Sequence, residues 1–401
     1  MKIDTNGDKI DELLTRSVEE ILPTREGLRD ALMSGRRLRI YIGTDATGTS
    51  LHLGHATNYM ILEKFRALGH EVIFLIGDFT ARIGDPTDKG EMARKQLTRA
   101  QVVEHVQTWT DQIRPVIDID NKDNPVKIMY NHEWLSALTV ESMLDLASNF
   151  TAQQMLERDM FQARIKSNKP LYLHELFYPI MQGYDSVAMD VDIEMCGMDQ
   201  KFNALAGRTL LRKLKNKEKF VFITTLLENP KTGEKMMSKS LGTGVFLDFD
   251  ANKMYGAIMS QPDENMKQLF IDGTRLNMDE ISQVLKASNP RDAKMRLAKE
   301  ITSIYHGKDK ADEAEQEFIR VFQKKENPEE VLIISADSDD EIMEILFSNR
   351  VIKSRGEYRR LVDEGAVALG GQKIDDVNKN VGEGGILRLG KKRFVNLVPV
   401  R

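Results

Sequence analysis

Residues 38–55 read LRIYIGTDATGTSLHLGH: a β-branched run, a glycine-bearing turn, then two histidines set around Gly54. The run LRIYIG is apolar on both faces, which suits a strand buried inside a parallel sheet better than one face of a hairpin. Apolar residues at helical spacing follow, from Asn58 to Leu68. Four more runs of the same kind, VIFLIG (72–77), VKIMY (126–130), VDIEMC (191–196) and FVFITT (220–225), alternate with helical text such as Phe202 to Leu214. The fold expected is therefore α/β, with a doubly wound parallel sheet spanning 1–245. Strand, loop and helix start in that order form the place where such a sheet binds a nucleotide.

Beyond that region the strand signals vanish. Ala251 to Lys325 reads as helices with polar faces, giving an α-helical domain over 246–330. A polar connector, KKENPEEVLIISADSDD (324–340), leads to a small α+β domain over 337–401 that closes in Gly-rich, β-like text. There is no internal repeat and no low-complexity tract.

The 401 residues carry a formal charge of −5, which excludes a general polyanion binder, so any nucleic-acid contact must come from a local patch. One such patch stands out. Over residues 350–401, twelve basic side chains against six acidic ones give a net +6, as RNA backbone binding requires, although a solvated helix face reads the same way. The single cysteine, Cys196, allows no internal disulfide and points to a reducing compartment, the cytoplasm. The start, MKIDTNGDKIDELL, is charged and is not a secretory signal. Apolar runs such as Val72 to Ile76 are a quarter of a membrane span, so no membrane partner is expected.

His52 and His55 admit three readings. A metal site fails on supply, because His70, His105, His132, His174 and His306 are scattered and one cysteine cannot complete a Cys/His set. No protein-bound metal is expected. Two histidines packed at a helix start would be the plainest alternative. The third reading uses the context: amides and the helix dipole at that start attract phosphate, Gly54 lets a flat adenine lie against the backbone, and the imidazoles donate to phosphate oxygens. It makes the ligand ATP. In LFYPIMQGYD (176–185), Tyr178, Gln182 and Asp185 fall at i, i+4 and i+7, one face of a helix. Polar groups on an otherwise apolar helix need a partner, unless they form a surface stripe.

These residues carry a resemblance. HLGH (52–55) resembles the HIGH motif of class I aminoacyl-tRNA synthetases, and MMSKS (236–240), about 185 residues on, resembles their KMSKS motif. YIGTDATGTSLHLGH (41–55), IGDPTDK (83–89), YPIMQGYD (178–185) and CGMDQKFN (196–203) are similar to the blocks of the tyrosyl-tRNA synthetase family, over essentially the whole chain. SRGEYRRLVDEGAVALGG (354–371) resembles a small RNA-binding module that bacterial members carry at the C-terminus.

The resemblance implies a Rossmann-like catalytic domain, an anticodon-recognition domain in the helical part and an RNA-binding tail. The implied partners are L-tyrosine, ATP with Mg²⁺, tRNA(Tyr) and a second copy of the chain in a homodimer. It implies that Tyr41 and Asp185 meet the substrate phenol, and that Tyr178, Gln182 and Asp85 hold its α-ammonium group. Gln200 would lie near the carboxylate and Asp199 near the ATP ribose. Gly43, Asp45 and Thr47 would flank the ATP, with His52, Gly54 and His55 beneath it. Lys239 and Lys89, with Arg94 one place beyond the family spacing, would take the pyrophosphate. His52, His55, Lys89 and Lys239 would thus carry catalysis, and Arg355, Arg359 and Lys392 would meet tRNA phosphates.

The pattern departs from the family at Met236, where a lysine is usual and stands one place earlier, at Lys235. Three rivals remain open at this level. They are a catalytically inert RNA-binding relative, another HxGH nucleotidyltransferase, and the related tryptophanyl-tRNA synthetase.

Overall fold

Five strands lie parallel where the apolar runs predict them: β2 (Arg39–Thr44), β3 (Glu71–Ile76), β4 (Lys127–Tyr130), β5 (Ile193–Gly197) and β6 (Phe220–Thr224). The computed structural model adds a strand the sequence reading missed, β1 (Val18–Leu22), antiparallel to β6 at the sheet edge. Two of the five residues in its text, VEEIL, are charged, which an edge strand tolerates more readily than a central one. The sheet order is β1-β6-β5-β2-β3-β4. The chain winds from β2 outward through β3 and β4, then returns to β5 and winds the other way, so β2 and β5 flank the switch point. Both sheet faces are covered. Ile40, Val72, Ile73, Ile193 and Val221 are each at most 1% exposed, and each such side chain contributes about 1.5–3 kcal/mol through burial.

The structure describes residues 2–45, 49–84, 98–225, 227, 244–286, 289–323, 332–390 and 393–400. They form two units, Met1–Ala311 and Asp312–Arg401. After the sheet come the helices Ala251–Met259, Met266–Gly273, Met278–Lys286, Pro290–His306 and Lys308–Phe318, as the loss of strand text predicts.

The second unit holds the helices Ile342–Ser348 and Arg355–Asp363 on a five-stranded sheet. Its strands are β7 (Leu332–Asp337), β8 (Val367–Leu369), β9 (Gln372–Lys373), β10 (Gly385–Leu389) and β11 (Arg393–Val400). Their order is β7-β11-β10-β8-β9. Here the reading of 324–340 as connector needs correction, because LIISAD within it is β7, parallel to β11. Ile334 and Ala336 point into the core with Leu346, Tyr358 and Leu387, an alternation hidden by the acidic text on either side.

Candidate functional site

The helix Leu53–Ala67, with His52 at its N-cap, starts beside the switch point. A cavity of about 440 Å³ opens there, over the C-terminal ends of β2 and β5. The first unit brings eleven of the residues named from sequence to this one cavity. Tyr41, Gly43 and Asp45 come from β2 and its end, and His52, Gly54 and His55 from the helix start. Tyr178, Gln182 and Asp185 come from the helix Tyr178–Met189, and Asp199 and Gln200 from the turn after β5. Thr47, Asp85, Lys89, Arg94, Lys235, Met236, Lys239 and Lys392 lie outside the described residues.

One end of the cavity is walled by buried polar groups. Asp185 is 2% exposed. Its carboxylate accepts from Trp134 Nε1 at 2.7 Å and from Asn131 Nδ2 at 3.2 Å. Burial pushes the Asp185 carboxyl well above the usual carboxylate range, against those two hydrogen bonds. Each further donor brought to it therefore favours the ionised form. Tyr41 is equally sealed; burial pushes its hydroxyl up, and it shares a 3.0 Å hydrogen bond with Ser186 Oγ. Tyr178 donates to Asp45 Oδ2 at 2.9 Å, and Thr80 donates to Asp45 Oδ1 at 2.7 Å. Gly77 makes room for this cluster, since a β-carbon there would stand 2.0 Å from Asp45 Oδ1.

The other end is built from the helix start. The His52 and His55 rings stack with centroids 3.8 Å apart. His55 Nδ1 accepts the His52 N–H at 3.2 Å, so in the neutral ring the proton sits on Nε2. Gly54 is required by the ring of His52 as well as by any ligand, because a β-carbon would meet that ring at 3.1 Å. Two of the amides at this start are already engaged. Besides the His52 N–H, the Leu53 N–H is engaged, donating to Val245 O at 3.0 Å. Charge attraction at this end therefore rests on the helix dipole, the imidazoles and the amides further into the first turn.

Sequence reasoning missed Thr80, Asn131, Trp134, Ser186 and Glu194, all of which line the cavity or hold its walls. Asn131 is 1% exposed and joins three elements, accepting from the Phe79 N–H at 3.0 Å while donating to Thr80 and Asp185. The available signal was polar residues directly after an apolar strand, in YNHEW (130–134). Among the described residues, no three His, Cys, Asp or Glu side chains gather as a metal-ligand set.

In the second unit, Arg355 is bidentate to Glu344 at 2.6 and 2.7 Å and stacks over Phe347. Arg359 is exposed on the same helix, and no ion pair among the described residues engages it.

Comparison with known proteins follows the same division. The family described as tRNA synthetases class I (W and Y) matches residues 33–323, and the S4 domain matches 342–387. The tyrosine–tRNA ligase of Carboxydothermus hydrogenoformans is 40% identical, covering 96% of this chain and 97% of that protein. That of Moorella thermoacetica is 38% identical, covering 96% and 94%. A C-terminally truncated Aspergillus nidulans mitochondrial tyrosyl-tRNA synthetase superposes with a TM-score of 0.63 at 22% identity, over 79% of this chain and 94% of that one, which speaks to fold alone.

Proposed function

The chain belongs to the class I tRNA synthetases, among the tyrosine–tRNA ligases, and from that membership we propose how its cavity divides the work. The reaction is the ATP-driven joining of tyrosine to tRNA, through tyrosyl-adenylate and pyrophosphate. In our reading tyrosine takes the buried end. Its phenol meets Tyr41 and Asp185, its ammonium group lies among Tyr178, Gln182 and Asp85, and its carboxylate lies toward Gln200. ATP takes the helix start, with His52, Gly54 and His55 beneath it, Gly43, Asp45 and Thr47 beside it, and Asp199 at the ribose. Lys89 and Lys239 close on the pyrophosphate. Mg²⁺ brought in with ATP would supply charge neutralisation at the phosphates.

The attacking carboxylate is already ionised at pH 7, so the first step needs no general base. The chain's own task is to align attack and to stabilise developing charge on phosphate. The observation that carries this reading is that Asp185 and the HLGH helix start line the same cavity. A site that hydrogen-bonds a hydroxyl rejects the analogue lacking it, because buried partners are left unsatisfied; this enzyme family is itself the standard example of that effect.

Three finer points belong to the same proposal. The helices over 246–330 read the anticodon region, and 337–401 holds tRNA backbone through Arg355, Arg359 and Lys392. The protein works in the cytoplasm; among the described residues no helix is long and apolar enough to cross a membrane. It works as a homodimer, and the exposed apolar side chains Val140 and Leu144, one turn apart on the helix Val140–Ala147, are available to a second copy.

The test is ATP–pyrophosphate exchange with a panel of amino acids. Exchange with tyrosine and none with phenylalanine or tryptophan is expected. Exchange that needs no amino acid, or prefers tryptophan, would overturn the reading.

A further inference from the structure

Behind the wall formed by Tyr41 and Gln182 lies a charge pair that none of the proposed substrate contacts requires. Glu194, on β5 directly beside Tyr41 in the sheet register, is 1% exposed. Lys219, the residue before β6, is 0% exposed, and its ammonium group contacts Glu194 Oε2. Sealing two charges from water is costly, and apolar residues of the same size commonly stabilise a fold as well or better. What such a pair can do is fix the orientation of its neighbours.

The neighbours are substrate-facing side chains. Gln182 donates its Nε2 to Glu194 Oε1 at 3.1 Å. Ser186 donates to Glu194 Oε2 at 3.3 Å and accepts from Lys219 Nζ at 3.0 Å, while sharing its hydrogen bond with the Tyr41 hydroxyl. Space for this arrangement is reserved by Gly207, where a β-carbon would stand 2.6 Å from Lys219 Nζ and 2.7 Å from Ser186 Oγ. An ionised carboxylate only accepts hydrogen bonds. Glu194 therefore holds the nitrogen of the Gln182 amide and turns its oxygen away, and Lys219 holds Glu194 in place.

We propose that the buried Glu194–Lys219 pair is a positioning device that locks the Gln182 amide with its oxygen toward the α-ammonium group of the substrate. The inference rests on the ammonium role proposed above for Gln182. Neither Glu194 nor Lys219 need touch tyrosine; they act through Gln182.

The test compares the intact protein with the double variant E194Q/K219M, which removes both charges at nearly constant volume, and with K219M alone. Three quantities are read: the tyrosine KM in pyrophosphate exchange, the ATP KM, and the inhibition constant of 3-(4-hydroxyphenyl)propionate, which is tyrosine without its amino group. With the lock gone, either end of the Gln182 amide can face the ammonium. The tyrosine KM of the double variant is expected to rise about 10- to 100-fold, with the ATP KM and the inhibitor constant each within about twofold of the intact protein.

K219M strands a buried carboxylate, and is expected to lose at least as much tyrosine affinity. If it fails to fold, the neutral double variant carries the test. A folded double variant with an unchanged tyrosine KM overturns the inference, and so does parallel weakening of tyrosine and its des-amino analogue, the mark of a merely structural pair. Absence of tyrosine-dependent exchange in the intact protein overturns the underlying functional reading instead.

Discussion

The two ends of the cleft are made differently. At the tyrosine end the groups assigned to the phenol are buried and held from behind: Asp185 by Trp134 and Asn131, Tyr41 by Ser186. At the phosphate end the described groups, His52, Gly54 and His55, are only half-buried and sit on a helix start. Discrimination between similar small molecules needs fixed donors and acceptors out of water, where an unsatisfied partner is costly. Phosphate recognition needs net positive potential, which a helix end and cations on neighbouring segments can deliver.

The contrast can be broken at either end. Asp185→Ala strips the acceptor from the Asn131 and Trp134 donors and from the substrate phenol. Tyrosine-dependent exchange is expected to fall about 10³-fold, with the ATP KM nearly unchanged; a loss under tenfold would remove Asp185 from the phenol site. Lys239→Ala is expected to slow adenylate formation about 10²–10³-fold, with tyrosine affinity within about threefold. Stopped-flow measurement checks this, and slowing by less than threefold would take Lys239 off the pyrophosphate.

Smaller effects sharpen the boundary of the cleft. Arg359→Ala is expected to weaken tRNA binding about threefold to tenfold and to lower its salt dependence, leaving exchange untouched. Arg355→Ala should do less, because Glu344 already holds that guanidinium. Equal loss of exchange and tRNA charging in Arg359→Ala would contradict the separation.

Last is an effect absent at neutral pH. Burial, with Arg37 adding, pushes the His70 imidazole down to about 4 from the usual 6.5. Above pH 6.5 both folded and unfolded chains are neutral there. As pH falls from 6.5 toward 4 only the unfolded chain takes the proton, so stability drops by about 3 kcal/mol across that window. Urea unfolding of His70→Gln should show a shallower acid slope than the intact protein; identical slopes would acquit His70.

Much of this was legible before any coordinates. Strands apolar on both faces announced the parallel sheet, and the i, i+4, i+7 spacing of Tyr178, Gln182 and Asp185 put them on one face of a helix that lines the cavity. What stayed hidden depends on partners distant in sequence. Trp134 and Asn131 become supports only because β4 ends beside Asp185. Lys219 looks like one more charge in KNKEKF until folding seals it against Glu194. β1 and β7 escaped because edge strands in charged text lack the continuous apolar run that marks a central strand.

The most direct test of the central claim is a crystal structure of the chain with a non-hydrolysable tyrosyl-adenylate analogue. The account predicts the phenol oxygen within hydrogen-bond distance of Tyr41 and Asp185, and the adenosine over Gly54 between β2 and the HLGH helix. An adenosine bound away from His52 and His55, or a phenol pointing out of the pocket closed by Trp134 and Asn131, would contradict it.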